Sequence, residues 1–189
     1  LKKFPSFEND IQLLSYVLKE VISHENIEIT GGRIWELNEN KTAYIMAEQH
    51  GEIEKIRRGY TLKLEEYPIY FEVGKSRSVL AKETDKYLSQ IGIHVFSATG
   101  IGERFKVKDS SGNDQRLYQY ILAFNSNDLN VNLLNTMNII STSVSSMLRT
   151  RGIETKARAI EKDLVKAREI QRSILPEHEY SFGNYEIFG

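Results

Sequence analysis

From Val131 to Pro176 the sequence reads as helix for about 45 residues, roughly 65 Å at 1.5 Å per residue, and a rod of that length outgrows the domain it leaves. Two apolar stripes run along it. Leu133, Met137, Ile140, Val144 and Met147 recur at alternating spacings of four and three, the pattern of a helix packed on a sheet or on another helix. Beyond Gly152 a stripe resumes in a shifted phase through Ile153, Ala157, Ile160, Leu164, Ala167, Gln171 and Ile174. The residues around this second stripe are mostly charged, which predicts an exposed coiled-coil seam and a homodimer joined through it, with polar Gln171 fixing the register of parallel helices. Gly152 lowers helix stability by about 1 kcal/mol relative to alanine. It reads equally as a hinge between two phases or as the end of one helix before another begins.

Ahead of the rod the periodicity alternates between helix and strand. "SFENDIQLLSYVLKEVISHE" sets Ile11, Leu14, Val17, Leu18 and Val21 at helical spacing behind Ser6, which suits an N-terminal cap, with Asn9 and Asp10 following closely. "RIWEL" and "TAYIMA", joined by "NENK", predict a β-hairpin. Ile34 beside Trp35, and Tyr44 beside Ile45 and Met46, place apolar side chains on both faces, so the sheet is expected to be covered on both sides. "GYTLKL" reads as a third strand, "EYPIYFEVGKS" as a short helix and "RSVLAKE" as a fourth strand. "DKYLSQIGIHVFSATGIGERF" reads as a helical turn, a loop and a strand, and "VKDSSGNDQRLYQYILAFNS" as a second hairpin. The fold class is α+β, an antiparallel sheet flanked by helices with a long C-terminal helix.

Composition narrows the chemistry. With 25 basic and 26 acidic side chains among 189 residues the formal charge is -1, which gives no drive toward nucleic acid or an anionic membrane. The chain has no cysteine, which excludes disulfides, thiol catalysis and cysteine-held metals and fits a reducing cytoplasm. No apolar run approaches the ~20 residues of a membrane span, and "LKKFPSFEND" is not a signal peptide. Starting on Leu1, the chain is expected to be a piece of a longer protein. His24, His50, His94 and His178 lack metal-motif spacing, and His94 in "IGIHVF" reads as a packed core histidine. "ATGIGERF" places Phe105 where a dinucleotide-binding loop needs its third glycine, so Gly100 and Gly102 read as turn residues. Acidic and basic residues in "EIEKIRR" and "ARAIEKDLVKAREI" read as solvated faces rather than acid/base pairs. No catalytic residue and no metal site is expected.

Two resemblances add to this reading. The order of elements, and within it "RRGYTLKLEEYPIYFEVGKSRSVL" with Gly59, Leu62, Leu64, Glu66, Tyr67, Pro68, Ile69 and Val73, resembles a GAF domain over residues 7–149. The resemblance implies a small-molecule pocket walled by Trp35, Tyr44, Met46, Tyr60, Tyr70, Phe71, Tyr118 and Tyr120. Thr99 and nearby backbone amides would stand at the ligand's polar edge. Aromatic walls with hydroxyl tips suit a planar ligand, a nucleotide being one candidate. The Asn-Lys…Phe…Asp-Glu signature of cyclic-nucleotide-binding relatives is absent after Asn125. The tail "AREIQRSILP", through Ala167, Ile170, Gln171, Ile174, Leu175 and Pro176, resembles the segment leading into SpoIIE/RsbU-type metal-dependent serine/threonine phosphatases. "NYEIFG" resembles that domain's first strand. These resemblances imply a sensor over 7–149, a coiled-coil signalling helix over 150–176, and the start of a phosphatase domain over 177–189. The divalent metal would belong only to the remainder of that domain, joined in cis. A ligand-free structural dimerisation domain stays open as the alternative.

Overall fold

A computed structural model of the chain describes residues 7–24, 29–81, 96–126, 131–174, 179–182 and 185–188. The chain divides into two compact units, Leu1–Leu148 and Arg149–Gly189.

The first unit opens with helix α1 (Asp10–Ile22), capped by Asn9, whose side chain accepts a hydrogen bond from the backbone N–H of Gln12 at 2.9 Å. Ser6, the cap expected from the sequence, lies outside the described residues. Six strands follow: β1 (Ile29–Leu37), β2 (Ala43–Gly51), β3 (Thr61–Lys63), β4 (Ser78–Ala81), β5 (Phe96–Lys108) and β6 (Asp114–Ser126), with helix α2 (Ile69–Ser76) between β3 and β4. They form one antiparallel sheet in the order β3-β2-β1-β6-β5-β4. The expected "NENK" turn closes β1 onto β2: Asn38 Oδ1 accepts from the N–H groups of Thr42 and Ala43, and Lys41 takes a φ of 58°. The helical turn expected near "DKYLSQIG", and His94, lie outside the described residues.

Both faces of the sheet are covered, as adjacent apolar residues on β1 and β2 require. One face carries Trp35, Tyr44, Met46, Ile121 and Ala123, packed with Leu62, Leu64, Tyr67 and the α2 residues Tyr70 and Val73. The other carries Ile34, Ile101, Leu122 and Phe124 beneath α1 and the long helix α3 (Val131–Ile174). Leu133, Met137, Val144 and Leu148 of α3 are buried there, with Ile140 and Met147 partly so, which accounts for the first apolar stripe. Ser141, fully buried between them, donates from Oγ to the Gly100 carbonyl, and Ser145 Oγ accepts from the Gly102 N–H at 3.0 Å, so α3 is hydrogen-bonded to β5 as well as packed on it.

The helix passes through Gly152 without interruption. Of the two sequence readings at that glycine, helix end and restart is therefore corrected: the change of stripe marks a change in which side of one helix is apolar, not a break in its backbone. The second unit consists of the rest of α3 and a hairpin of β7 (Glu179–Phe182) and β8 (Tyr185–Phe188). The strand expected at "NYEIFG" is present as β8; its partner β7 was not anticipated. Leu175, Pro176 and His178 lie outside the described residues, and the side chain of Ile174 outside the described side chains.

Candidate functional site

The nine residues picked from the sequence as pocket walls separate into three groups. Trp35, Tyr44, Met46, Tyr70 and Tyr118 share one cluster, each 3% exposed or less, and Phe71 packs against its edge. The Tyr44 and Tyr70 rings lie 4.7 Å apart at 41°, and the buried Tyr44 hydroxyl donates to the Tyr118 carbonyl at 2.7 Å. Burial pushes the Tyr44 phenol well up, so it acts as a neutral donor. The Trp35 indole Nε1–H is buried and has no hydrogen-bond partner among the described residues. An unsatisfied buried donor costs about 1–3 kcal/mol.

Tyr60, 37% exposed, stands apart from that cluster. Thr99 and Tyr120 are on the other face. Thr99 pairs across the sheet with Leu122, and directly opposed residues share a face, so its side chain lies on the α3 side. Its Oγ1 is 2.6 Å from the Ser78 hydroxyl. Tyr120 packs beneath α1, and its hydroxyl donates to Asp10 at 3.4 Å. Burial first, then the charges of Asp10 and Glu36, push its phenol up; burial and Asp10 likewise push the Glu36 carboxyl up. The amides near Thr99 are also committed: the Gly100 N–H bonds to the Arg77 carbonyl at 2.8 Å and the Gly102 N–H to Ser145. Thr99 and Tyr120 thus lie on the face opposite the aromatic cluster, and these amides are engaged in structural pairing.

The two glycines of "ATGIGERF" sit within β5 rather than in a turn. A Cβ on Gly100 would lie 2.0 Å from the Tyr118 ring, and Gly102 takes a φ of +84° where the β5–β6 register shifts between Ile101 and Arg104. Glycine is needed at one for space and at the other for a left-handed backbone at a bulge.

Two arginines were not legible as site residues. Arg33 is 1% exposed and pairs across β1–β6 with Ala123, which puts it on the aromatic face; it donates to the Glu54 carbonyl. Burial lowers its pKa, opposed by Glu54 and Tyr70. Arg77 closes α2 at a left-handed φ of 72°, uncommon for a residue with a side chain. Its guanidinium lies 5.3 Å from the Tyr118 ring centre and donates to Ser141 Oγ of α3 at 3.2 Å. One side chain thus touches both the aromatic cluster and the long helix, and strained backbone of this kind concentrates where function holds it.

Elsewhere, an open groove of about 510 Å³ lies on the α1–β2 surface beside Ser15, Lys19, Glu48 and Arg58, and it includes none of the residues picked from the sequence. Among the described residues no cluster of three or more histidine and acidic side chains could hold a metal, and no helix is long and apolar enough to cross a membrane.

No protein-family model and no curated protein matches the sequence. Solved structures do. A far-red cyanobacteriochrome photoreceptor is 11% identical, with a TM-score of 0.54, covering 75% of this chain and 87% of that one. A region of a methyl-accepting chemotaxis protein is 11% identical, with a TM-score of 0.57, covering 77% and 90%. The GAF domain region of a Geobacter sulfurreducens protein is 15% identical, with a TM-score of 0.45, covering 74% and 89%. At these identities the likeness is one of fold, and the α+β fold expected from the sequence, an antiparallel sheet flanked by helices with a long C-terminal helix, is the fold observed.

Proposed function

We propose that the chain is a sensory signalling module. Its first unit binds a small planar ligand on the aromatic face, and α3 carries the bound state to a second copy of the chain. In the longer protein α3 also reaches a C-terminal metal-dependent serine/threonine phosphatase domain. The chain itself is not an enzyme on this reading, and any divalent metal belongs to that downstream domain. The observation that carries the proposal is that one uninterrupted helix buries a stripe on the first unit's sheet and exposes a different stripe in the second.

The physical path supports it. A ligand accepting from Trp35 Nε1 displaces aromatic side chains that are closed in the free state. Tyr118 is one of them, and Arg77 joins Tyr118 to Ser141 on α3. A ligand shifts such an equilibrium only by its difference in affinity for the two arrangements, and this chain of contacts supplies residues through which such a difference is felt. The phosphatase rests on the tail's resemblance, which β8 accommodates as an opening strand. A cytoplasmic location follows from the same assignment.

A ligand-free dimerisation domain is the second reading, favoured by how completely the aromatic cluster is closed: Trp35 and Tyr44 are both 0% exposed. Thermal shift against a panel of nucleotides and planar metabolites separates the two. A ligand at 100 times its Kd adds about 2.7 kcal/mol of stability, and Trp35→Phe, which removes the N–H donor along with part of the ring, should abolish the shift. No shift across the panel, together with native mass spectra of gently purified protein showing bare chain only, favours the structural reading.

A further inference from the structure

Every side chain from Gly152 to Arg172 is exposed, including Ile153 at 62%, Ile160 at 61% and Leu164 at 55%, so the second unit's helix presents an apolar seam to whatever covers it. A second copy is the occupant proposed above, and the present inference rests on that reading; what it adds is the set of charged pairs between the copies that selects the parallel, in-register arrangement. In heptad terms Ile153, Ile160 and Ala167 take position d, while Ala157, Leu164 and Gln171 take position a. The flanking positions are then fixed. Position g holds Arg149, Lys156 and Asp163, and position e holds Glu154, Glu161 and Arg168.

In a parallel in-register pair each g residue faces the partner's e residue five positions further on. Arg149 then meets Glu154, Lys156 meets Glu161, and Asp163 meets Arg168, each across the seam. All three pairs are opposite in charge, and twofold symmetry makes each occur twice. An antiparallel pair instead sets g against g and e against e. In the register that places Ala157 opposite Ile160, Lys156 gains Asp163 but Glu154 faces Glu161, and the two effects cancel. All six side chains are exposed, and the ion pairs found among the described residues, Lys63–Glu66 and Lys75–Glu72, leave them uncommitted. Sign reversal within both sets, basic-basic-acidic at g against acidic-acidic-basic at e, also penalises a slip of one heptad. That slip brings Arg149 against Glu161 and Lys156 against Arg168, exchanging an attractive contact for a repulsive one.

We infer that the second unit is a parallel, in-register two-stranded coiled coil whose orientation is set by the pairs Arg149–Glu154, Lys156–Glu161 and Asp163–Arg168 between two copies of this chain. The absence of native cysteine makes the test clean. Ala157→Cys and Leu164→Cys, each alone, should give self-linked dimers on mild oxidation, because seam residues face their own copies at disulfide distance only in this register. Arg158→Cys, on the outer surface, should not. Glu154→Lys with Glu161→Lys should weaken dimerisation by about tenfold, the scale of several exposed pairs reversed together. Adding Arg149→Glu and Lys156→Glu should restore it. A sedimenting dimer that fails to self-link at Ala157 and Leu164, or a charge-restored variant that stays weak, overturns the inference while leaving the dimer standing. A chain that is monomeric at every concentration overturns the dimer itself.

Discussion

The two ends of α3 use the same heptad-like spacing for opposite purposes. Between Leu133 and Leu148 the apolar stripe is buried, with Met137 at 1% and Val144 at 4% exposure, and it is interleaved with serines that bond to β5. Between Ile153 and Gln171 the seam side chains are exposed, with Ile153 at 62%. Sequence period says only that a helix has an apolar side; what covers that side depends on what lies opposite. In the first unit the chain supplies its own sheet. In the second, no described residue covers the stripe, and on the proposed reading a second copy removes it from water, at about 25 cal/mol per Å² of apolar surface a substantial drive.

The contrast can be broken most forcefully from the first unit. Gly100→Ala should destabilise it by about 1–3 kcal/mol or more, because the added methyl enters the Tyr118 ring. Combining it with Tyr118→Ala should cost less than the sum of the two, as expected of residues in contact. Denaturant melts of the four proteins check both, and strict additivity would show that the close approach is not real. Tyr44→Phe is next: losing the buried bond to the Tyr118 carbonyl should cost about 1–2 kcal/mol in the same melts. Gly152→Ala acts in the opposite sense. Among the described residues nothing lies within 4 Å of the added Cβ, so a continuous helix should gain up to about 1 kcal/mol, read as raised helicity and Tm; a loss would restore the hinge.

The smallest effect is a pH dependence confined to the first unit. His50 lies 2.6 Å from the Ser15 hydroxyl, and burial first, then Lys19 and Lys55 against Glu48, holds its imidazole below the ordinary value. A depressed histidine pKa means the unfolded state binds more protons between the two values. Stability is therefore full above about pH 6.5 and declines as pH falls through the folded value. Tm measured from pH 8 to 5 should show this fall, and His50→Gln should flatten it.

Much of the fold was legible because its signals are local: the turn in "NENK", the short helix at "EYPIYFEV", and the doubly apolar strands that required cover on both faces. The candidate site was less so. Tyr118 and Tyr120 are two residues apart, and simple alternation puts them on one face. The register shift at Ile101–Arg104 lies between their partners, and the added twist at a bulge separates them into different clusters. Thr99 was assigned by its neighbourhood, but the face on which it lies follows from its pairing with Leu122, which no local pattern reveals. Arg33 in a strand reads as solvent-facing; its burial is a property of the assembled sheet. Arg77 acquires its role only when α2, β5 and α3 meet. In α3 the two stripes were visible, yet their phase difference resembled a break until one could be seen facing the sheet.

The central claim is that the exposed stripe of α3 joins two copies while the buried stripe holds one. Sedimentation equilibrium of the chain beside Leu164→Asp tests it most directly. The account predicts a concentration-dependent dimer for the chain and a monomer for the variant with the first unit's melt unchanged; a monomeric chain, or a variant that dimerises equally well, would contradict it.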